Sequence, residues 1–81
     1  MHKKIALLIN NIVRESPYNG HSFKCIFVET DIKNSIFCSL TIEILQDNAH
    51  SNALIKSLKH IGMIYGEKLT IQKDNQYYHI D

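Results

Sequence analysis

The segment Ile36-Phe37-Cys38-Ser39-Leu40-Thr41-Ile42-Glu43-Ile44 constrains the fold more than any other part of the chain. Its even-numbered positions are all apolar, and Ser39, Thr41 and Glu43 fill most of the odd ones. Alternation with a period of two puts one side of a strand in a core and the other in water. As a helix, the same stretch would scatter Ile36, Phe37, Cys38, Ile42 and Leu45 around the axis. The pattern therefore predicts a strand over Ser35–Leu45 with one wet face. Phe37 breaks the rule, because it is a large apolar group on that wet face.

The remaining elements follow from the same kind of periodicity. Ile5, Leu8, Ile9 and Ile12 recur at helical spacing, so Lys3–Glu15 reads as an amphipathic helix, with Leu7 and Val13 widening its apolar face. Pro17 disfavours helix at Ser16, and Asn19-Gly20 favours a turn. His21–Thr30 reads as a strand with Phe23, Cys25 and Phe27 on one face. Ile26 and Val28 on the other suggest a strand covered on both sides.

A two-residue loop at Asp31-Ile32 or a four-residue loop at Asp31–Asn34 joins it to the next strand. The first loop sets Cys25 opposite Cys38, and the second sets Phe27 there. A second helix starts at an Asp47 or Ser51 cap, buries Leu54, Leu58 and Ile61, and ends at Gly62, with Met63 packing back on its last turn. Ile64–Gln72 and Gln76–Ile80 form a second hairpin around Asp74-Asn75, pairing Leu69 with Ile80 and Ile71 with Tyr78.

The expected fold is a single α+β domain over residues 1–81, in the order αββαββ. It has a four-stranded, mostly antiparallel sheet with two helices on one face.

Size and charge narrow the function. A chain of 81 residues buries only about 60–65% of its unfolded surface, so association would add useful stability. Net charge is +1 with neutral histidines, which gives no bulk attraction to nucleic acid or anionic membrane. No apolar run reaches membrane-spanning length, and Asn10, Asn11 and Arg14 interrupt the only leader-like segment. A soluble, cytoplasmic protein is expected.

Reactive motifs are sparse. Cys25 and Cys38 are too few for a disulfide framework and lack zinc-site spacing; both fall on apolar strand faces. His50 and His60 lie ten residues apart, and His2, His21 and His79 lie in separate segments, so no helical metal pair exists. The acidic residues are dispersed, there is no G-x-S-x-G, and three glycines make no phosphate loop. No catalytic residue, metal, cofactor or small-molecule substrate is assigned.

Two binding surfaces remain. Phe37, Thr41, Tyr65 and Tyr77 are the candidates for contact with a protein partner or a second copy, since surface tyrosine and phenylalanine suit binding hot spots. The second surface comes from a resemblance. Leu54-Ile55-Lys56-Ser57-Leu58-Lys59-His60-Ile61-Gly62-Met63-Ile64-Tyr65 leads into a hairpin ending Gln76-Tyr77-Tyr78-His79-Ile80. Residues 51–80 thus resemble the recognition helix and wing of winged-helix DNA-binding regulators, with the Leu-x-x-x-Gly step followed by apolar residues and an aromatic pair closing the wing. The resemblance implies a winged-helix architecture as the alternative fold. Ser51, Asn52, Lys56 and Lys59 would then face DNA, and Lys68 and Lys73 would meet phosphates. That family places a further helix before the recognition helix, where this chain has the alternating Ser35–Leu45. The first choice is a small non-enzymatic regulatory or inhibitory protein that occupies a protein partner.

Overall fold

The computed structural model describes residues 1–66 and 68–81. Its elements run α1 (Lys3–Glu15), β1 (Phe23–Ile32), β2 (Ser35–Ile44), α2 (Ala49–Ile64), β3 (Ile71–Asp74) and β4 (Tyr77–Ile80). The strands form one antiparallel sheet in the order β1-β2-β4-β3. This is the α+β arrangement expected from the periodicities. The place where the winged-helix alternative needs a helix is occupied by β2.

Helix α1 begins at His2, whose Nδ1 accepts from the Lys4 N–H, and ends where Ser16 turns extended ahead of Pro17. Its buried stripe is Ile5, Ile9 and Val13, an i, i+4 ridge, with Ala6 and Asn10 beside it. Ile12 and Leu7 stay largely exposed, so the face is rotated from the expected one. Small Ala6 is fully buried beside this ridge.

The β1–β2 hairpin turns at Lys33-Asn34, not at either expected loop. Both residues have positive φ, the mark of the twisted two-residue hairpin turn. A turn at Asp31-Ile32 would force a β-branched residue into that conformation, which costs more than Asn there. The ladder runs from Phe23↔Ile44 to Ile32↔Ser35. Cys38 consequently faces Glu29, and Cys25 faces Ile42. Odd β1 residues still oppose even β2 residues, so the faces are as expected although the register is not.

Helix α2 is capped by Asn48, not by Asp47 or Ser51. The Asn48 Oδ1 accepts from the His50 and Ser51 N–H groups at 3.0 and 3.1 Å, and the Ser51 Oγ accepts in return from the Asn48 N–H at 3.1 Å. This is a capping box with Ser as the returning residue. The helix continues through buried Gly62 to Ile64, Tyr65 caps it, and Gly66 takes the left-handed conformation. Of two glycines able to end the helix, the chain uses the second, and Met63 is exposed instead of packing back.

The last hairpin is shorter than expected. Ile64 belongs to α2, and β3 starts only at Ile71; Glu67, within the expected strand, lies outside the described residues. The turn is Asn75-Gln76, with Asn75 at positive φ, so Ile71 pairs with Ile80 and Lys73 with Tyr78. Backbone bonds between Thr70 and Asp81 extend the ladder by one pair.

The core lies on one side of the sheet. Phe23, Cys38, Leu40, Ile42 and Ile80 meet Ile5, Ala6, Ile9 and Val13 from α1 and Leu54 and Leu58 from α2. Every sheet residue in that set belongs to the parity that faces the helices. The opposite face has no covering layer among the described residues.

Candidate functional site

The register places the uncovered side chains in rows. Lys24, Glu43, Tyr77 and Asp74 form one row across the four strands. Ile26, Thr41, His79 and Gln72 form the next. Beyond the end of β4 the face narrows to two strands, where Val28 opposes Ser39 and Thr30 opposes Phe37. Phe37 is thus diagonal to Val28, within reach of an aromatic ring. The polar residues gather at one end of the face and the apolar ones at the other.

The polar end is internally ordered. Lys24 Nζ sits 3.2 Å from Glu43 Oε1, and Gln76 Nε2 donates to Glu43 Oε2 at 2.8 Å. The Gln76 hydrogen bond and then the Lys24 ammonium hold the Glu43 carboxyl below its ordinary pKa. Thr41 Oγ1 and His79 Nδ1 share a hydrogen bond of 3.2 Å. His79 Nε2 lies 3.8 Å from Asp74 Oδ2, and the Tyr77 ring stacks along the imidazole at 6.5 Å between centroids.

The apolar end is exposed. Ile26, Val28 and Phe37 keep 48%, 46% and 56% of their surface in solvent, and Ile32 at the tip keeps 53%. Single exposed apolar residues are ordinary on a protein surface, but neighbours on one face are informative. The expectation that β1 is covered on both sides is corrected here. Its second apolar face exists, but nothing among the described residues covers it.

Of the residues expected to meet a protein partner, Phe37, Thr41 and Tyr77 share this face. Tyr65 does not. It caps the far end of α2 and lines a groove with His2, Lys4, Ile5 and Leu8 in the helical layer. Ile26, Val28 and His79 were missed as members of the site. The period-two pattern of β1 carries the signal for Ile26 and Val28, but the same pattern is equally the mark of a strand covered on both sides.

The residues expected to meet DNA are divided. Ser51 is 1% exposed, and its hydroxyl donates to the Gln46 carbonyl at 2.9 Å within the capping network, so it does not face outward. Asn52, Lys56 and Lys59 are exposed along α2. Asn52 and Lys73 line a groove of about 330 Å³ between the start of α2 and the β3–β4 hairpin. Lys59 and Lys68 line a separate groove at the other end of α2. Lys73 also lies 5.9 Å from the Tyr78 ring centre, in cation–π range.

Thiol chemistry has little support. Both cysteines are free, and burial pushes the Cys25 thiol up to about 11 against the opposing charge of Arg14. Among the described residues, no group of three His, Cys, Asp or Glu side chains could hold a metal ion, and no helix is long and apolar enough to cross a membrane. No known protein family matches the chain, and no curated protein or solved structure does either.

Proposed function

We propose that this chain is a small non-enzymatic binding protein of the cytoplasm that regulates or inhibits a protein partner by seating it on the open face of its sheet. One observation carries the reading: β1 has two apolar faces, and among the described residues only one has a cover. Removing the exposed surface of Ile26, Val28 and Phe37 from water is favourable at about 25 cal/mol per Å². The neighbouring Thr41, Tyr77 and His79 supply hydrogen-bonding groups that can fix the partner's orientation.

Recognition suits the Thr41, His79 and Asp74 side chains, which span two neighbouring rows, better than catalysis does. The order hydroxyl, imidazole, carboxylate is that of an activated nucleophile, but 3.8 Å to Asp74 exceeds hydrogen-bond distance and the three lie on a flat, solvated face. The nucleic-acid alternative retains Asn52, Lys56, Lys59, Lys68 and Lys73 but has no use of Ser51 and no helix in place of β2. It would show as duplex binding that weakens steeply with salt.

The test is affinity capture from the native host with the wild-type chain, Phe37→Asp and Tyr65→Ala. A protein retained by wild type and Tyr65→Ala but lost by Phe37→Asp supports the open face. An unchanged capture profile for Phe37→Asp rejects it.

A further inference from the structure

The outer edge of β1 is a second unfinished surface, independent of the open face. β1 is ten residues long, and apart from a bridge between Asn19 and Phe23 at its start it pairs with β2 alone among the described residues. Its register runs unbroken from Phe23 to Ile32, so no bulge bends it away, and it holds no proline.

The direction of its backbone groups follows from neighbouring bonds. The Ile44 N–H donates to Gln76 on the β4 side, whereas the Leu45 N–H donates to Ser22 on the β1 side. Odd β2 residues therefore bond toward β1, and their partners are the even β1 residues. The odd β1 residues turn outward. Phe23 does so, and its carbonyl accepts from the Gly20 N–H at 2.8 Å. Cys25, Phe27, Glu29 and Asp31 present their N–H and C=O groups along the open edge.

The sequence of this edge is complementary to itself. Consider two copies paired antiparallel about a two-fold axis at Phe27. Residues opposite each other then have numbers that sum to fifty-four. Ile26 meets Val28 of the other copy, and Lys24 meets Thr30, on the open face. On the helical face, Glu29 meets Cys25. No like charges oppose. Moving the axis to Ile26 sets Lys24 against Val28, and moving it to Val28 sets Lys24 against Ile32.

The helical layer adds charge complementarity. Helix α1 runs along β1, with Lys3 reaching Glu29 at 3.3 Å near one end and Arg14 acting on Cys25 near the other. A Glu29 arriving opposite Cys25 therefore enters the range of the Arg14 charge that acts on that thiol, once on each side of the axis. Net charge of +1 per chain leaves little repulsion to overcome.

The geometry points to a symmetric dimer in which the β1 edges of two copies pair antiparallel about Phe27, joining two four-stranded sheets into one of eight strands. The apolar ends of the two open faces then meet across the axis. This dimer does not depend on the proposed partner site. Loss of one would leave the other to be judged separately.

Sedimentation of the full chain over a concentration series tests it. Wild type should show a reversible monomer–dimer equilibrium. Glu29→Pro removes an outward N–H, together with the carboxylate that pairs with Lys3, and leaves the backbone bonds to β2 intact. Two hydrogen bonds are lost per dimer, so association should fall by about thirtyfold. The far-ultraviolet circular dichroism of the variant should stay that of wild type. Glu29→Arg keeps the N–H but sets it against Arg14 and should weaken the dimer; adding Arg14→Glu should restore it. A wild-type chain that stays monomeric, including one that accepts only a foreign extended peptide, overturns the proposal. So does a dimer indifferent to Glu29→Pro, or a charge swap that rescues nothing.

Discussion

Phe37 and Leu40 lie three residues apart on β2 and point to opposite faces, so truncating each measures what covers that face. Leu40 is 1% exposed and belongs to the core. Leu40→Ala should cost about 2–5 kcal/mol, because it removes buried methyl groups and leaves a cavity. A domain of 81 residues is held by only about 4–12 kcal/mol, so that loss is a large share of the total. Phe37 retains 56% of its surface in solvent. A fully buried Phe→Ala costs about 3–5 kcal/mol. With less than half of Phe37 covered and no packed cavity to leave, Phe37→Ala should cost no more than about 1 kcal/mol. Urea unfolding of both variants, followed by far-ultraviolet circular dichroism at low protein concentration, gives the two values from midpoints at constant m. A Phe37→Ala loss of about 3 kcal/mol or more would mean that the face is covered in the folded monomer. The case for an open site would then fail.

Other consequences of the structure can be checked in the same way. Ser51→Ala should destabilise by about 1–3 kcal/mol in urea unfolding, since Ser51 is buried and its hydroxyl satisfies both the Asn48 N–H and the Gln46 carbonyl. Asn10→Ala should raise the unfolding midpoint: Asn10 is 8% exposed, its Oδ1 has no hydrogen-bond partner, and alanine is the better helix former. Glu43 should titrate below ordinary carboxylates by NMR, and Gln76→Ala should bring it back toward them. Because its folded pKa is lowered, its contribution is present above the unfolded pKa and is lost as pH falls through the folded one. Gln76→Ala should therefore make stability less sensitive to pH in that acid range.

The faces of the elements were more legible than their registers. Side-chain alternation assigns Cys38, Leu40 and Ile42 to the core whatever the turn, so the sheet face was readable from β2 alone. The turns were harder because they depend on which residue accepts positive φ. Asn34 and Asn75 do so; the second hairpin is shifted by two residues from its expected pairing, and the first by two or four from its two alternatives. The same competition moved the end of α2 from Gly62 to Gly66. In the site, Phe37 was conspicuous because it broke a clean alternation. Ile26 and Val28 were not, since apolar residues on both faces of a strand are the usual sign of burial by the chain's own elements. Tyr65 was grouped with Phe37 by residue type, and only the tertiary fold separates them. A DNA contact for Ser51 follows only from the resemblance to a recognition helix. The burial of Ser51 depends on the reciprocal bond with Asn48, which no spacing argument distinguishes from an outward hydroxyl.

The most direct test is an amide NMR spectrum of the labelled chain, recorded with and without the protein that Phe37→Asp fails to capture. The account predicts shifts concentrated on the open-face rows, at Ile26, Val28, Phe37, Thr41, Tyr77 and His79, with α2 unmoved. Shifts centred on Asn52, Lys56 and Lys59 of α2, with the sheet face silent, would contradict it.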